Sequence, residues 1–212
     1  TASTSITTVD NNLYEDDETV IVDIINVING VEDGMQQQTI TIIEDDPRPV
    51  ITLESTSNVI SENSGSALIV ARLDAVSALD VVIDFAFTGT ATGGGVDYQP
   101  PISQISIPAG ALDASIILEA VPDTIDEADE TVIIDVASST NSVLGNPSSL
   151  TVTIVADDLP ALVSLDAPAD IAENGGTGVF TISLNTVSGR DITVNLGIVN
   201  TSTATGGGVD YT

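Results

Sequence analysis

The sequence contains no cysteine, histidine, tryptophan or lysine, and its three cations are all arginine: Arg48, Arg72 and Arg190. Without cysteine there is no disulfide framework, no thiolate metal site and no thiolate nucleophile. The lack of histidine removes the usual general base, and the lack of lysine removes the Schiff-base amine. Carboxylate pairs are the catalytic repertoire that remains. A glycosidase can be built from two of them, but such sites sit in aromatic-lined clefts and aromatics make up only 3% of this chain. The sequence is therefore expected not to be an enzyme. No apolar run approaches the roughly 18 residues of a membrane span, and no signal-peptide pattern opens the chain. The start at Thr1 without Met is read as a mature fragment or a window cut from something longer.

Against the 3 cations stand 32 Asp plus Glu, a formal charge of −29. Such a surface repels phosphate backbones and anionic headgroups, so nucleic acid and direct membrane insertion are excluded as partners. Divalent cations are the natural partners instead. Acidity of this degree often accompanies disorder, but 42% of the residues are hydrophobic, enough to offset chain entropy. Val, Ile, Leu, Ala and abundant Thr make this a β-rich composition.

The chain repeats itself. Ala91-Thr-Gly-Gly-Gly-Val-Asp-Tyr98 returns as Ala204 to Tyr211, an offset of 113, and Glu62-Asn63 returns as Glu173-Asn174, an offset of 111. Glu15-Asp-Asp-Glu-Thr-Val-Ile-Val-Asp-Ile24 matches Glu127-Ala-Asp-Glu-Thr-Val-Ile-Ile-Asp-Val136, and Asp45-Asp46 matches Asp157-Asp158, both at 112. A period of about 112 residues is the size of one sandwich domain. One complete repeat is expected over 47–158, preceded by the C-terminal half of a repeat (1–46) and followed by the N-terminal half of another (159–212). The stretch equivalent to Pro100–Leu112 is absent from both halves.

Apolar alternation in the complete repeat predicts strands at Val50–Glu54, Ser66–Leu73, Asp80–Phe87, Ile102–Ile107, Ala114–Val121, Thr131–Ala137 and Ser149–Val155. Val132, Ile134 and Val136 fall on the core side of one of these, with Asp135 towards water. Seven short strands with Gly/Pro/Asn/Ser loops read as an all-β fold, an immunoglobulin-like seven-stranded antiparallel β-sandwich in tandem repeats. The linkers Asp45-Asp-Pro-Arg-Pro49 and Ala156-Asp-Asp-Leu-Pro160 are short and stiffened by proline, so neighbouring domains are expected to meet end to end.

Loops hold most of the acid, above all Asp123-Thr-Ile-Asp-Glu-Ala-Asp-Glu130 and Asp10-Asn-Asn-Leu-Tyr-Glu-Asp-Asp-Glu18. Concentrated carboxylates repel one another unless a cation lies between them. Calcium, which takes six to eight oxygens in irregular loops, is the natural candidate. The EF-hand pattern is absent, because Asp123, Asp126 and Asp129 stand three apart with no glycine at the sixth position. One acidic loop by itself reads as a solvated turn. Strand reversals, however, put the Asp/Glu loop, Asp157-Asp158, Glu62 and Asp97 at one end of the sandwich.

In order and spacing, Ile60-Ser-Glu-Asn63, Gly95-Val-Asp-Tyr98, Ile107-Pro-Ala-Gly110, Asp123 to Val132 and Val155-Ala-Asp-Asp158 resemble the Calx-β domain. That module forms the calcium sensors of sodium/calcium exchangers and recurs in large extracellular bacterial proteins and integrin subunits. The resemblance extends over the whole chain. It implies Ca2+ ligands at Glu62, Asp97, Asp123, Glu127, Glu130, Asp157 and Asp158. Pro122 and Ala156 stand where the family often has further acids, which implies one or two ions per repeat. In the partial repeats it implies split sites: Asp10, Asn11, Glu15, Glu18, Asp45 and Asp46 in the first, Glu173 and Asp210 in the last.

The function this implies is a calcium-binding tandem-repeat segment of a large extracellular or cell-surface protein. Calcium would rigidify it into a stalk or filament used in adhesion or surface assembly, with neighbouring repeats or other copies as partners and head-to-tail assembly as one form. The alternatives are a regulatory calcium-sensor module of a transporter-like membrane protein and a structural spacer without specific calcium binding. Other features read as structural. Gly93-Gly-Gly95 and Gly206-Gly-Gly208 lack the Lys and helix of a phosphate cradle, Tyr98 and Tyr211 suit packing, and Asn200-Thr-Ser202 is a glycosylation acceptor by pattern only. The arginines suit surface ion pairs.

Overall fold

Alternation of apolar and polar side chains between Val50 and Val155 places every second residue on a common face. In the computed structural model, which describes residues 1–99, 101–199, 202–208 and 210–211, those faces close on one another as two five-stranded sheets. The chain opens with a hairpin, β1 (Glu18–Val22) and β2 (Gln38–Ile42). A central unit follows: β3 (Val50–Ser55), β4 (Val59–Ser61), β5 (Ser66–Leu73), β6 (Val81–Gly89), β7 (Tyr98–Gln99), β8 (Gln104–Ile107), β9 (Asp113–Ala120), β10 (Glu130–Ser139), β11 (Val143–Leu144) and β12 (Ser149–Val155). β13 (Val163–Asp166) and β14 (Thr181–Leu184) close the described strands. No helix occurs among the described residues, so none is long and apolar enough to cross a membrane.

One sheet has the order β4-β12-β10-β6-β8 and the other β11-β3-β5-β9-β7. Each stretch predicted as a strand carries one, but the central unit has ten strands where seven are expected. The three additions, β4, β7 and β11, are only two or three residues long, too short for a period of two to register. Two of them also make the sheets mixed where an antiparallel sandwich is expected, because β4 pairs with β12 and β11 with β3 in parallel. The chain leaves β3, turns at Ser55–Asn58 and runs on into the other sheet, so it meets β12 without having reversed. Ser55 Oγ donates to the Ser57 carbonyl (2.6 Å) and holds that turn.

Between the sheets lies one apolar core, and all of its buried members fall between Ile51 and Ile154. Ile51, Leu53, Ile69, Ile83, Ile107, Leu118 and Ile134 are fully buried, each worth about 1.5–3 kcal/mol relative to exposure. Val132, Ile134 and Val136 face this core. So does Tyr98, as its packing role predicts, whereas Tyr211 is exposed.

The flanks have the same pairings as the centre. β1 and β2 pair from Glu18↔Ile42 to Val22↔Gln38, which at an offset of 112 is the β10–β12 register from Glu130↔Ile154 to Ile134↔Leu150. β13 and β14 pair from Val163↔Leu184 to Asp166↔Thr181, matching Ile51↔Leu73 to Glu54↔Val70. Apolar side chains on both flanks, among them Ile21, Ile40, Leu165 and Phe180, are exposed. Asn200 and Thr201 of the glycosylation pattern lie outside the described residues.

Candidate functional site

Four separate stretches of the central unit bring acid to one end of the sandwich. Glu62 follows β4, its amide donating to the Val155 carbonyl (3.0 Å), so the strand pairing itself carries the side chain beside the end of β12. The turn behind it closes through Gly65, whose amide reaches the Ser61 carbonyl at 2.9 Å. A Cβ on Gly65 would lie 2.3 Å from that carbonyl oxygen, so only glycine fits the turn.

Asp97 precedes β7 and is placed by the glycine-rich loop. Gly94 and Gly95 take positive φ (85° and 86°), the Gly95 amide meets the Tyr98 carbonyl (3.0 Å), and the Asp97 carboxylate accepts from the Thr92 amide. This is the structural role expected of Gly93–Gly95. Asp123 opens the β9–β10 loop, where its Oδ1 accepts from the Ile125 amide (2.7 Å). Glu127 stands in that loop, Glu130 begins β10, and Asp157 and Asp158 follow β12.

The seven carboxylates expected from the sequence meet as three overlapping groups: Glu62, Asp123 and Glu127; Glu62, Asp157 and Asp158; Asp97, Glu127 and Glu130. Within each group the oxygens lie within 4.8 Å of one another, and Glu62 and Glu127 each belong to two groups. Glu62 is the most enclosed, with 6% of its surface exposed. Its carboxyl is pushed above the ordinary range by burial, then by the charges of Asp123, Asp158, Asp157 and Glu127. Glu127 is raised by burial, Asp97 and Asp123. Glu130 is raised to about 7, first by burial, then by a hydrogen bond to the Asp97 carboxyl and the charges of Asp97, Glu127 and Glu62.

These shifts share two physical causes, burial first and then the charges of the neighbouring carboxylates. One buried oxygen, Oδ2 of Asp158, has no hydrogen-bond partner at all. An orphaned acceptor of this kind costs about 1–3 kcal/mol, and a bound cation would satisfy it. A cavity of about 10 Å³ bounded by Glu62, Asp97, Glu127, Ala128, Glu130, Ile154 and Ala156 has room for a single small occupant. Donors that are all oxygen, in irregular loops, fit calcium rather than zinc or the strict octahedron of magnesium. The residues present thus fit Ca2+, held by the seven carboxylates, and its charge would offset their repulsion.

The flanks repeat parts of this geometry. Asn11 Oδ1 accepts from the Leu13 amide (2.6 Å), as Asp123 does from Ile125. Asp10, Asn11, Glu15, Glu18, Asp45 and Asp46 all line a broad groove of about 910 Å³ between residues 6 and 46. Of these six, only Asp45 and Asp46 join a tight group, and its third member is Glu44. The sequence reading missed Glu44, although the offset that finds Ala156 points straight to it. A hydrogen bond of the loop also repeats: Asp17 Oδ1 accepts from the Glu44 amide (2.8 Å), as Asp129 Oδ1 does from Ala156 (3.3 Å). At the other end, Asp210 accepts from the Thr205 amide (2.6 Å), as Asp97 does from Thr92. Glu173 and Asp210 are exposed and join no metal-sized group among the described residues.

One further residue, Asp126, escaped the sequence reading, while its partner Arg190 forms the ion pair expected of the arginines. Asp126 is a buried member of the acidic loop but is turned away to Arg190, whose Nε lies 3.6 Å from its Oδ1. Arg190 Nε also donates to the Glu127 carbonyl (2.9 Å). No local pattern in the sequence pairs positions 63 residues apart. Arg72, as expected for a surface arginine, lies 3.5 Å from both Glu54 and Asp113.

A family model described as the Calx-beta domain matches residues 44–159, more than half of the chain. No curated protein matches. Among solved structures, the apo-form Calx CBD1 domain is 24% identical, with 53% of this chain and 100% of that one covered and a TM-score of 0.45. CBD12 from CALX1.2 is 21% identical, with 64% and 57% covered and a TM-score of 0.47; this chain therefore spans little more than half of that one's length. The calcium binding domain CBD12 of CALX1.1 is 18% identical, with 62% and 69% covered and a TM-score of 0.44.

Proposed function

The chain belongs to the Calx-beta domain family, and from that premise we propose that it is a non-enzymatic calcium-binding segment of tandem repeats. Residues 47–158 form a complete immunoglobulin-like repeat, 1–46 the C-terminal half of the repeat before it, and 159–212 the N-terminal half of the repeat after it. The observation that carries the calcium reading is the meeting of seven carboxylates in three groups that share Glu62 and Glu127, with a buried Asp158 oxygen left without a partner. One or two ions per repeat suit groups that share ligands in this way.

The parent is a large extracellular or cell-surface protein, in which calcium neutralises the acidic loop, couples it to the joint with the next repeat and turns a beaded chain into a stiff stalk or filament for adhesion or surface assembly. The identical pairing registers of the flanks support the tandem arrangement. Melting curves in calcium and in chelator test the proposal: the transition should rise in calcium, and equal transitions would overturn it. A regulatory sensor in a membrane transporter is the second reading that the family membership supports. Affinity separates the two, since sensors bind calcium at about 10⁻⁷–10⁻⁵ M and extracellular modules at about 10⁻⁴–10⁻³ M.

A further inference from the structure

The acidic loop touches the flanks through backbone contacts that occur twice. Tyr14 forms an isolated parallel bridge with Ser77, and Asp126 forms one with Ser188. The bonds correspond one to one. The Ala78 amide donates to the Tyr14 carbonyl (2.9 Å), and the Gly189 amide donates to the Asp126 carbonyl (3.1 Å). In each turn the serine hydroxyl accepts from the amide two residues on, Leu79 at 3.0 Å in one and Arg190 at 3.1 Å in the other. Tyr14 and Asp126 are 112 apart, and Ser77 and Ser188 are 111 apart, so each contact is the translation of the other by one period. The side chains at these positions differ, Tyr against Asp and Ala-Leu against Gly-Arg, but the backbone bonds are kept. The part of the contact common to both places is therefore the main-chain bond and the serine turn.

Each contact also receives an arginine from its C-terminal side. Arg190 lies on Asp126 and the Glu127 carbonyl, while Arg48 donates to the Tyr14 hydroxyl (3.0 Å) with its guanidinium 5.7 Å from the ring centroid. Two of the three cations in a chain of −29 thus sit at these two places. There they face the residue that immediately precedes a candidate ligand, Glu15 in one case and Glu127 in the other. The approach at the second is close enough that a Cβ would displace Glu127: on Gly189 it would lie 2.7 Å from both Cγ and Oε1 of that side chain.

We propose that the serine turn following the second long strand of each repeat (Ser77–Leu79, Ser188–Arg190) is a docking surface whose partner is the acidic loop of the preceding repeat. Successive repeats therefore stack through one recurring joint, and at Gly189 the following repeat sets the position of Glu127. The inference rests on reading the flanks as neighbouring repeats, but its test is independent of calcium binding. Because the chain has no cysteine, engineered pairs report the joint without background. Paired residues of a bridge lie within disulfide reach, so Tyr14→Cys with Ser77→Cys, and Asp126→Cys with Ser188→Cys, should each close within one chain on mild oxidation. The crossed pair, Tyr14→Cys with Ser188→Cys, should not. Closure of the crossed pair to the same extent as the two native pairs, or failure of either native pair to close in protein with an unchanged circular dichroism spectrum, overturns the joint.

Gly189→Ala supplies a second measurement on the otherwise unaltered chain. Its calcium titration should be several-fold weaker than that of the parent while its melting transition in chelator is unchanged; an unchanged titration overturns the positioning of Glu127. Native pairs that close in a protein giving no calcium heat would sink the calcium reading and leave the joint standing. Calcium heat from a protein whose native pairs stay open would do the reverse.

Discussion

Glu130, the first residue of β10, brings a carboxylate oxygen within 4.8 Å of one from Asp97, which lies in the loop before β7. Burial, and after it the neighbouring Asp97 carboxyl, lifts Glu130 from an ordinary 4.5 to about 7.

That relationship fixes a pH dependence. The folded state holds the Glu130 proton more tightly than the unfolded state, so its contribution to metal-free stability is fully present below about 4.5 and is lost as pH rises through about 7. Glu62, Glu127 and Asp46 are shifted in the same direction. Asp84 is lowered by hydrogen bonds from Ser138 and Gln104, so its contribution is lost only as pH falls below its ordinary 3.8 and does not oppose the trend. Denaturant titrations in chelator between pH 5 and pH 8 should show stability falling with pH; a rise would contradict the raised Glu130 carboxyl. Calcium binding must displace that proton, so affinity should climb with pH through about 7 and then level off.

Glu62→Gln removes a carboxylate that two of the groups share. Without calcium the variant should be as stable as the parent or more so, because a buried charge among like charges disappears. A ligand at one hundred times its Kd stabilises by about 2.7 kcal/mol, and most of that increment should vanish. Thermal melts with and without calcium measure both effects. A full calcium shift in the variant would remove Glu62 from the site.

Ala156 lines the small cavity at a position where the offset places Glu44 in the first flank. Ala156→Glu should tighten calcium binding by about tenfold, on the order of 1.4 kcal/mol, and should lower stability in chelator through added repulsion. Isothermal titration of the two proteins side by side measures the change. Weaker binding would mean that a carboxylate at 156 points away from the ion.

In the core, Ile134 is fully buried on the strand that begins with Glu130. Ile134→Ala should cost about 2–5 kcal/mol in denaturant unfolding. Because Ile134 lies four residues along β10 from Glu130 and in the core between the sheets, the calcium increment should persist at temperatures where the variant remains folded. A loss below about 1 kcal/mol would be inconsistent with a close-packed site.

How much of this was legible beforehand depended on how local each feature is. The β class followed from period-two alternation, and each of the seven expected strands overlaps an observed one, with ends that differ by up to two residues. The short strands β4, β7 and β11 were not legible, since two or three residues have no period. Counting reversals was enough to bring Glu62, Asp97, Asp123 and Asp157-Asp158 to one end, because strand direction alone decides which end a loop occupies.

Which oxygens meet was a different matter. The sharing of Glu62 and Glu127 between groups, the meeting of Glu130 with Asp97, and the turning of Asp126 away from its neighbours towards Arg190 all depend on distances between elements far apart in sequence. The sequence by itself determined the charge, the period near 112, the strand alternation and the residue types able to bind a hard cation. Only the tertiary structure decided which carboxylates meet and where the acidic loops touch the serine turns, because those contacts join residues tens of positions apart whose approach is set by packing and not by local spacing.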